Sequence, residues 1–257
     1  MPLDPLQSAA LTVVLCAVLC SLAYYKDVLN LDGTVAAFFV GLVIGILGGV
    51  TWLLLLLFFL LSSFLATRYR FALKEAMGVQ EGVRGERRAA NVLANGIAPM
   101  AAAVGSAFGS PWFPKEVGGV VFLSALAVAG ADTLASEIGV LSRKAYLITT
   151  RRRVTPGTDG GVSALGQLCA IGAASYTALV GYLVLSYLAR TYDLGVTVPE
   201  AGLSILVPAV IGFLGCQLDS LIGATLERRG FVSKRGTNLI ATSVGAVAAY
   251  VILMAAR

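Results

Sequence analysis

Eight long apolar segments constrain this chain more than any other feature of its sequence. They lie at residues 6–24, 34–48, 51–67, 91–107, 118–141, 162–189, 200–225 and 237–256. A helix needs about 20 predominantly apolar residues to cross a bilayer. Charged residues make up only 13% of the chain, against about 25% in soluble domains. The sequence therefore predicts an all-α polytopic membrane protein of about eight transmembrane helices, with residues 1–257 forming a single integral membrane domain.

The basic residues predict how these helices are oriented. Sixteen of the 19 Lys and Arg residues fall in the loops at 25–33, 68–90, 142–161 and 226–236, which eight spans place on one side of the membrane. By the positive-inside rule that side is cytoplasmic, so both termini are expected outside the cell membrane. No cleavable signal peptide is expected, because the N-terminus lacks a basic region. The mixed-charge loop at 68–90 is typical of an interfacial helix followed by a turn.

Polar residues inside the apolar segments predict a functional site. Asp132 and Glu137 lie in the fifth segment, Asp219 in the seventh, and Asn91 and Asn95 begin the fourth. A carboxylate at bilayer depth costs about 2.5–3.5 kcal/mol on insertion scales, so such residues are usually functional. The predicted topology brings all five to the cytoplasmic leaflet. The same depth is expected for Asn30, Asp32 and Asn238.

The types of residue predict the chemistry of this site. The chain has no histidine, and its four cysteines lie in apolar segments where we expect them to be packing residues. Carboxylate and amide oxygens suit Mg²⁺, which bridges phosphates. The loop "LSRKAYLITTRRRVTPGTDGG" adds Arg151–Arg153 and the glycines of the turn at 157–161, which suit polyphosphate oxygens. No P-loop motif is present, so a nucleotide would be held by other means.

Structural interpretations of the same residues stay open. Arg151–Arg153 could anchor the loop to anionic lipid headgroups and set the topology. Glu137 could pair with Arg143 or Lys144 near the end of its helix. On an ideal helix Glu137 also points roughly 140° away from Asp132, so the two need not share a ligand. Asp132 and Asp219 have no cation at helical spacing, and they resist a structural explanation best.

Three motifs together resemble the domain-of-unknown-function family numbered ninety-two. They are "NVLANGIAP", "GADTLASEIGVLSRKAYLITTRRRVTPGTDGGVSALG" and "DSLIGATLE". The resemblance covers roughly residues 25–256. Thr155 and Asp159 stand where the family commonly has proline and asparagine, and neither change disturbs the glycines. The family includes plant phytyl-phosphate kinase and is distantly similar to dolichol and phytol kinases and CDP-diacylglycerol synthases.

The resemblance implies a CTP-dependent kinase that converts an isoprenyl monophosphate into the diphosphate with Mg²⁺. It implies a membrane-lipid environment, a nucleotide and a lipid phosphate as partners, and no nucleic acid. A homodimer is left open. On the matched motifs, Asp132, Asp219 and Lys144 are assigned catalytic roles, and Asp132, Glu137 and Asp219 metal binding. The residues assigned to the nucleotide are Asn91, Asn95, Arg151, Arg152, Arg153, Gly157, Thr158, Asp159, Gly160 and Gly161.

Two other functions stay open at this point. A lipid monophosphate is already an anionic nucleophile at pH 7, so a site without histidine suits transfer onto it. The same nucleophile could attack the α-phosphorus instead, which would make the protein a CTP-lipid cytidylyltransferase. An ion-coupled transporter would use Asp132 and Asp219 at a cation site near the middle of the bilayer. The clustering of polar residues in one leaflet favours an enzyme over the transporter.

Overall fold

The computed structural model describes residues 4–80, 82, 85–188 and 200–257, which form a helical bundle with one small sheet. The helices are α1 (Pro5–Tyr25), α2 (Leu31–Leu47), α3 (Val50–Arg68), α4 (Phe71–Ala76), α5 (Ala89–Phe108), α6 (Lys115–Gly139), α7 (Ala164–Leu183), α8 (Ala201–Ile222) and α9 (Lys234–Ala255). Short π-helical segments extend α7 through Val184–Leu188 and α8 through Gly223–Glu227. The strands are β1 (Ala145–Leu147), β2 (Arg153–Val154) and β3 (Gly161–Val162).

The helices confirm the predicted membrane architecture. Within the described ranges, seven helices are long and apolar enough to cross a bilayer, namely α1, α3 and α5 to α9, with the π segments included for α7 and α8. Helix α2 has 17 residues, so it is about 25 Å long and shorter than the ~30 Å hydrocarbon core. It joins α3 through a tight turn in which Gly49 has φ +95°, as expected for a short helical hairpin. Residue 189, the predicted end of the sixth span, lies outside the described residues.

Helix α6 is the centre of the bundle. Every residue from 117 to 131 is buried, and the helix packs against α3, α5, α7, α8 and α9. Many of these residues are Gly, Ala or Ser, which let neighbouring helices approach closely in a membrane. Larger side chains also pack here: Trp52 of α3 lies against Phe122 of α6, with ring centroids 4.5 Å apart. Protein surrounds α6 as far as residue 131, and the polar residues Asp132 and Glu137 follow directly after this buried stretch.

The loop between α6 and α7 contains a three-stranded antiparallel sheet, which the sequence did not predict. The strand order is β2-β1-β3, and Tyr146 of β1 pairs with Arg153 on one side and Val162 on the other. Strands β2 and β3 flank residues 155–160, so the sheet fixes both ends of the glycine-containing turn. Ser163 then begins α7 by accepting a hydrogen bond from Gly166 N, while its hydroxyl donates to Gly139 O at 3.0 Å. This ties the sheet to the end of α6.

The connection between α3 and α5 contains the short helix that the charge pattern predicted. Helix α4 starts just after Arg70, which has φ +51° and turns the chain sharply. Lys74 of α4 is fully buried, although the sequence places it among solvated charges. The cytoplasmic location of this connection stays a prediction, which rests on the distribution of basic residues among the loops.

Candidate functional site

Asp132 of α6 and Asp219 of α8 form the centre of the candidate site. Their side chains lie within hydrogen-bonding reach of each other, in the C-terminal halves of two helices that run side by side. The helices approach closely because small residues meet, and a Cβ built on Gly212 would lie 2.8 Å from the Ala127 Cβ. Two carboxyl groups in contact are stable only when a proton or a cation lies between them. The structure therefore presents a pair of carboxyl groups suited to holding a positive charge.

Residues at the start of α9 complete the surroundings of this pair. With its amide nitrogen turned towards Asp219, the Asn238 side chain donates to Oδ2 at 3.2 Å and to the Lys234 carbonyl at 2.8 Å. Lys234 lies close enough to interact electrostatically with both carboxyl groups. Glu227, in the π segment after α8, accepts a hydrogen bond from the Thr237 hydroxyl at 3.3 Å. The acidic pair thus lies beside one lysine and one further carboxylate.

Glu137 is held by a partner that the sequence analysis missed. Its Oε2 forms an ion pair of 2.5 Å with Lys74 Nζ, and its Oε1 accepts a hydrogen bond of 3.3 Å from the Thr67 hydroxyl. Lys74 also donates to the carbonyl oxygens of Ala66 and Thr67 at 3.0 and 2.6 Å. The open interpretation that Glu137 pairs with Arg143 or Lys144 is therefore wrong. The α4 turn brings Lys74 to the end of α6, whereas the chain leaves α6 towards the sheet.

The structure does not gather the three predicted metal ligands into one cluster. Among the described residues, no group of three or more Asp, Glu, Cys or His side chains lies close enough together to hold a metal ion. Asp132 and Asp219 are together, while Glu137 is fixed by Lys74. The carboxylate pair is therefore the arrangement on which a metal-site proposal can rest.

Two cavities meet at the acidic residues of α6. The first, of about 270 Å³, lies towards the glycine turn and contains Asp219, Glu227 and residues 156–163. The second, of about 280 Å³, lies between the beginnings of α5 and α9. Its further lining residues include Arg87, Asn91, Asn95, Arg235 and Asn238. Both cavities share Asp132, Ser136, Glu137 and Lys234, so these residues form the boundary between them.

The glycine turn forms one wall of the first cavity, with Gly157, Thr158, Asp159, Gly160 and Gly161 all lining it. Gly157 and Gly160 adopt φ of +89° and +70°, a conformation that favours glycine. A Cβ on Gly160 would overlap Ala224 of the π segment, so the turn packs directly on the end of α8. The N–H groups of Thr158 and Gly161 donate within the turn, to Thr155 O and Thr158 O. The remaining N–H groups of the turn are the candidates for binding an anion.

The basic residues of the sheet lie away from both cavities. Lys144 and Arg151–Arg153 are exposed, and neither cavity includes them in its lining. Arg151 has φ +55° in the tight β1–β2 connection, which turns this edge of the hairpin outward. The exposed position of Arg151–Arg153 favours contact with lipid headgroups over nucleotide binding. The location of Lys144 does not support the catalytic role predicted for it.

The sequence analysis predicted some of the residues that line the two cavities and missed others. Asn91, Asn95 and Asn238 do line a cavity with Asp132, as the topology led us to expect. Asn30 instead caps α2 by accepting a hydrogen bond from Gly33 N at 3.0 Å. Lys74, Glu227, Lys234, Arg235 and Arg87 were missed because they lie in the basic loops, where solvated charges are common. A usable signal was the eight-residue spacing of Asp219 and Glu227, which is about two helical turns.

Comparison with known proteins places this architecture in a family. A family model described as "Integral membrane protein DUF92" matches residues 14–251. An uncharacterized membrane protein of Methanocaldococcus jannaschii is 32% identical over 251 residues, covering 96% of each chain. Protein PGR of Arabidopsis thaliana is 30% identical over 87% of this chain and 80% of its own. Protein VTE6, chloroplastic, of the same plant is 30% identical over 86% of this chain and 64% of its own. No solved structure matches the chain.

Proposed function

Since the chain belongs to the integral membrane protein DUF92 family, we propose that it is a kinase that phosphorylates an isoprenyl monophosphate at the cytoplasmic face of the cell membrane. CTP is the proposed phosphate donor and Mg²⁺ the proposed cofactor. The choice of CTP and of a prenyl lipid rests on the family resemblance. The observation that carries the proposal is the Asp132–Asp219 pair: Asp219 lines the first polar cavity, and Asp132 lies where the first and second cavities meet.

The residues present fit magnesium. Mg²⁺ is usually held by one or two carboxylates, while substrate phosphates and waters complete its octahedral shell. Asp132 and Asp219 provide such a pair of hard oxygen ligands, and the chain has no histidine. The buried Cys216 also lines this cavity, so the preference for a hard metal rests on the two carboxylates. When bound, the ion supplies neutralisation of the negative charge on the polyphosphate. The first cavity adds the glycine turn, whose backbone suits the approach of phosphate oxygens.

The proposed reaction needs positioning and charge neutralisation more than a base. A phosphate oxygen of the lipid attacks the γ-phosphorus of CTP, a new P–O bond forms, and the bond from that phosphorus to the β–γ bridging oxygen breaks. CDP leaves with that oxygen. The nucleophile is a dianion or monoanion at pH 7, so no proton has to be removed from it. Among the described cations, Lys234 lies near both carboxyl groups, and it is the one proposed to stabilise the transferred group.

The test is product analysis with purified protein in detergent. The assay contains Mg²⁺, CTP labelled at the γ-phosphorus, and geranylgeranyl or phytyl monophosphate. We expect the label to appear in a prenyl diphosphate together with CDP, and the Asp132→Asn variant to form neither. Release of pyrophosphate with a CDP-lipid would instead identify a cytidylyltransferase. Accumulation of a solute in sealed liposomes without nucleotide would identify a transporter.

A further inference from the structure

The second cavity differs in charge from the first, although they share a boundary. Beyond the shared residues, the described lining of the first cavity has three carboxylates (Asp159, Asp219 and Glu227) and no lysine or arginine. Among the described residues, the second is lined by Arg87 and Arg235 with three asparagines, and by no further carboxylate. The first is therefore suited to a polyphosphate that arrives with a divalent cation. The second is suited to an anion that the protein binds without one.

We infer that the second cavity binds the phosphate monoester of the lipid acceptor, through Arg235 and Arg87 with Asn91 and Asn95. This inference rests on the proposed function and assigns its two substrates to separate cavities. It also assigns Asn91 and Asn95 to the lipid phosphate, whereas the sequence analysis assigned them to nucleotide binding. Asp132 and Lys234 then lie between donor and acceptor, where transfer has to occur.

Arg235 is positioned before any ligand binds. Its Nε donates to the Asn91 Oδ1 atom at 3.1 Å, which links the start of α9 to the start of α5 across the cavity. The guanidinium has further N–H donors in a planar fork, and this geometry matches two oxygens of a phosphate. Asn91 therefore orients Arg235, and Asn95 lies one turn further along α5 on the same face.

Arg87 is fixed by its backbone on the other side of the cavity. Its N–H donates to Val28 O at 2.9 Å, and its carbonyl accepts from Asn30 N at 3.3 Å. These two bonds hold the residue against the α1–α2 connection, four residues before the cavity-lining Asn91. Arg87 and Arg235, on different elements, thus both line the cavity, and guanidinium groups suit the oxygens of a phosphate monoester.

The test separates acceptor binding from nucleotide binding. Arg235→Gln and Asn91→Ala are compared with Arg229→Gln, an exposed arginine that lines neither cavity. Each variant is titrated calorimetrically in detergent with geranylgeranyl monophosphate, with the prenol alcohol as a ligand lacking phosphate, and with Mg²⁺–CTP. Elution as a single folded species and an unchanged melting temperature are required of every variant.

We expect Arg235→Gln to weaken binding of the monophosphate about tenfold or more, with Asn91→Ala weakening it less. Both should leave Mg²⁺–CTP affinity within about twofold, and in turnover only the KM for the lipid should rise. Weaker CTP binding with unchanged lipid binding would overturn the inference, as would equal affinity for the monophosphate and the alcohol. Because binding is measured without turnover, absence of kinase activity in the wild type would refute the proposed function and leave this test valid.

Discussion

The buried ion pair between Lys74 and Glu137 gives the sharpest prediction about stability. Lys74 is fully buried, and its ammonium makes all three of its observed hydrogen bonds inside the protein, at 2.5, 2.6 and 3.0 Å. Replacing it with methionine keeps most of the packing volume but removes the charge. The Glu137 carboxylate, 11% exposed, would then keep only the Thr67 hydroxyl as an observed partner. The α3 carbonyls of residues 66 and 67 would lose the same donor.

Breaking a buried ion pair from one side costs about 3–5 kcal/mol, because the remaining charge is left uncompensated. We therefore expect Lys74→Met to lower the free energy of unfolding by that amount. Lys26→Met, at an exposed lysine, should change it by less than about 0.5 kcal/mol. Adding Glu137→Gln to Lys74→Met should restore part of the loss, since the uncompensated charge is gone, with a coupling of about 1–3 kcal/mol.

The assay is reversible unfolding by SDS titration in mixed micelles, followed by tryptophan fluorescence. The double-mutant cycle requires four proteins: the wild type, Lys74→Met, Glu137→Gln and the double variant. A cost below about 1 kcal/mol for Lys74→Met would refute the reasoning, because surface ion pairs are worth that little. Strict additivity of the two single effects would refute it as well, since it would mean that the residues do not interact.

Three further predictions concern the site. Asp132→Asn and Asp219→Asn should each abolish turnover while SDS unfolding stays near wild type, because each removes half of the carboxylate pair; wild-type activity in both would refute a role in catalysis. Gly160→Ala should destabilise the protein by about 1–3 kcal/mol, since φ is +70° and the Cβ overlaps α8. Gly172→Ala, with open space around it on α7, should be neutral or stabilising. Changing Arg151–Arg153 to glutamine should leave the KM for CTP within about twofold and weaken pelleting of the solubilised protein with anionic vesicles; a much higher KM would return these residues to the nucleotide site.

The fold was predictable where hydrophobicity decides the structure. Segment lengths located the spans, and α2 was already recognisable as short. The sheet at 145–162 was not predictable, because its strands have only two or three residues. Periodicity carries no signal over so few residues.

The candidate site was predictable only where a polar residue lies in an apolar segment. Asp132, Asp219 and Asn91 stand out because bilayer burial of such groups is costly. Lys74 does not stand out, since its neighbours along the chain include Glu75 and Arg70, a pattern typical of an exposed helix. Its burial follows from the tertiary turn at Arg70. The predicted topology likewise brought Asn91 and Asp132 to the same depth in the membrane. It could not show that two separate cavities meet at Asp132.

Binding of Mn²⁺ with CTP to the purified protein, followed by electron paramagnetic resonance, tests most directly whether the Asp132–Asp219 pair is a metal–nucleotide centre. Mn²⁺ replaces Mg²⁺ in such oxygen-ligand sites and its signal reports the bound fraction. We predict saturable binding in the wild type that depends on CTP, and its loss in Asp132→Asn and in Asp219→Asn. The control is Glu75→Gln, at an exposed residue of α4. Undiminished Mn²⁺ binding in both aspartate variants would contradict the account.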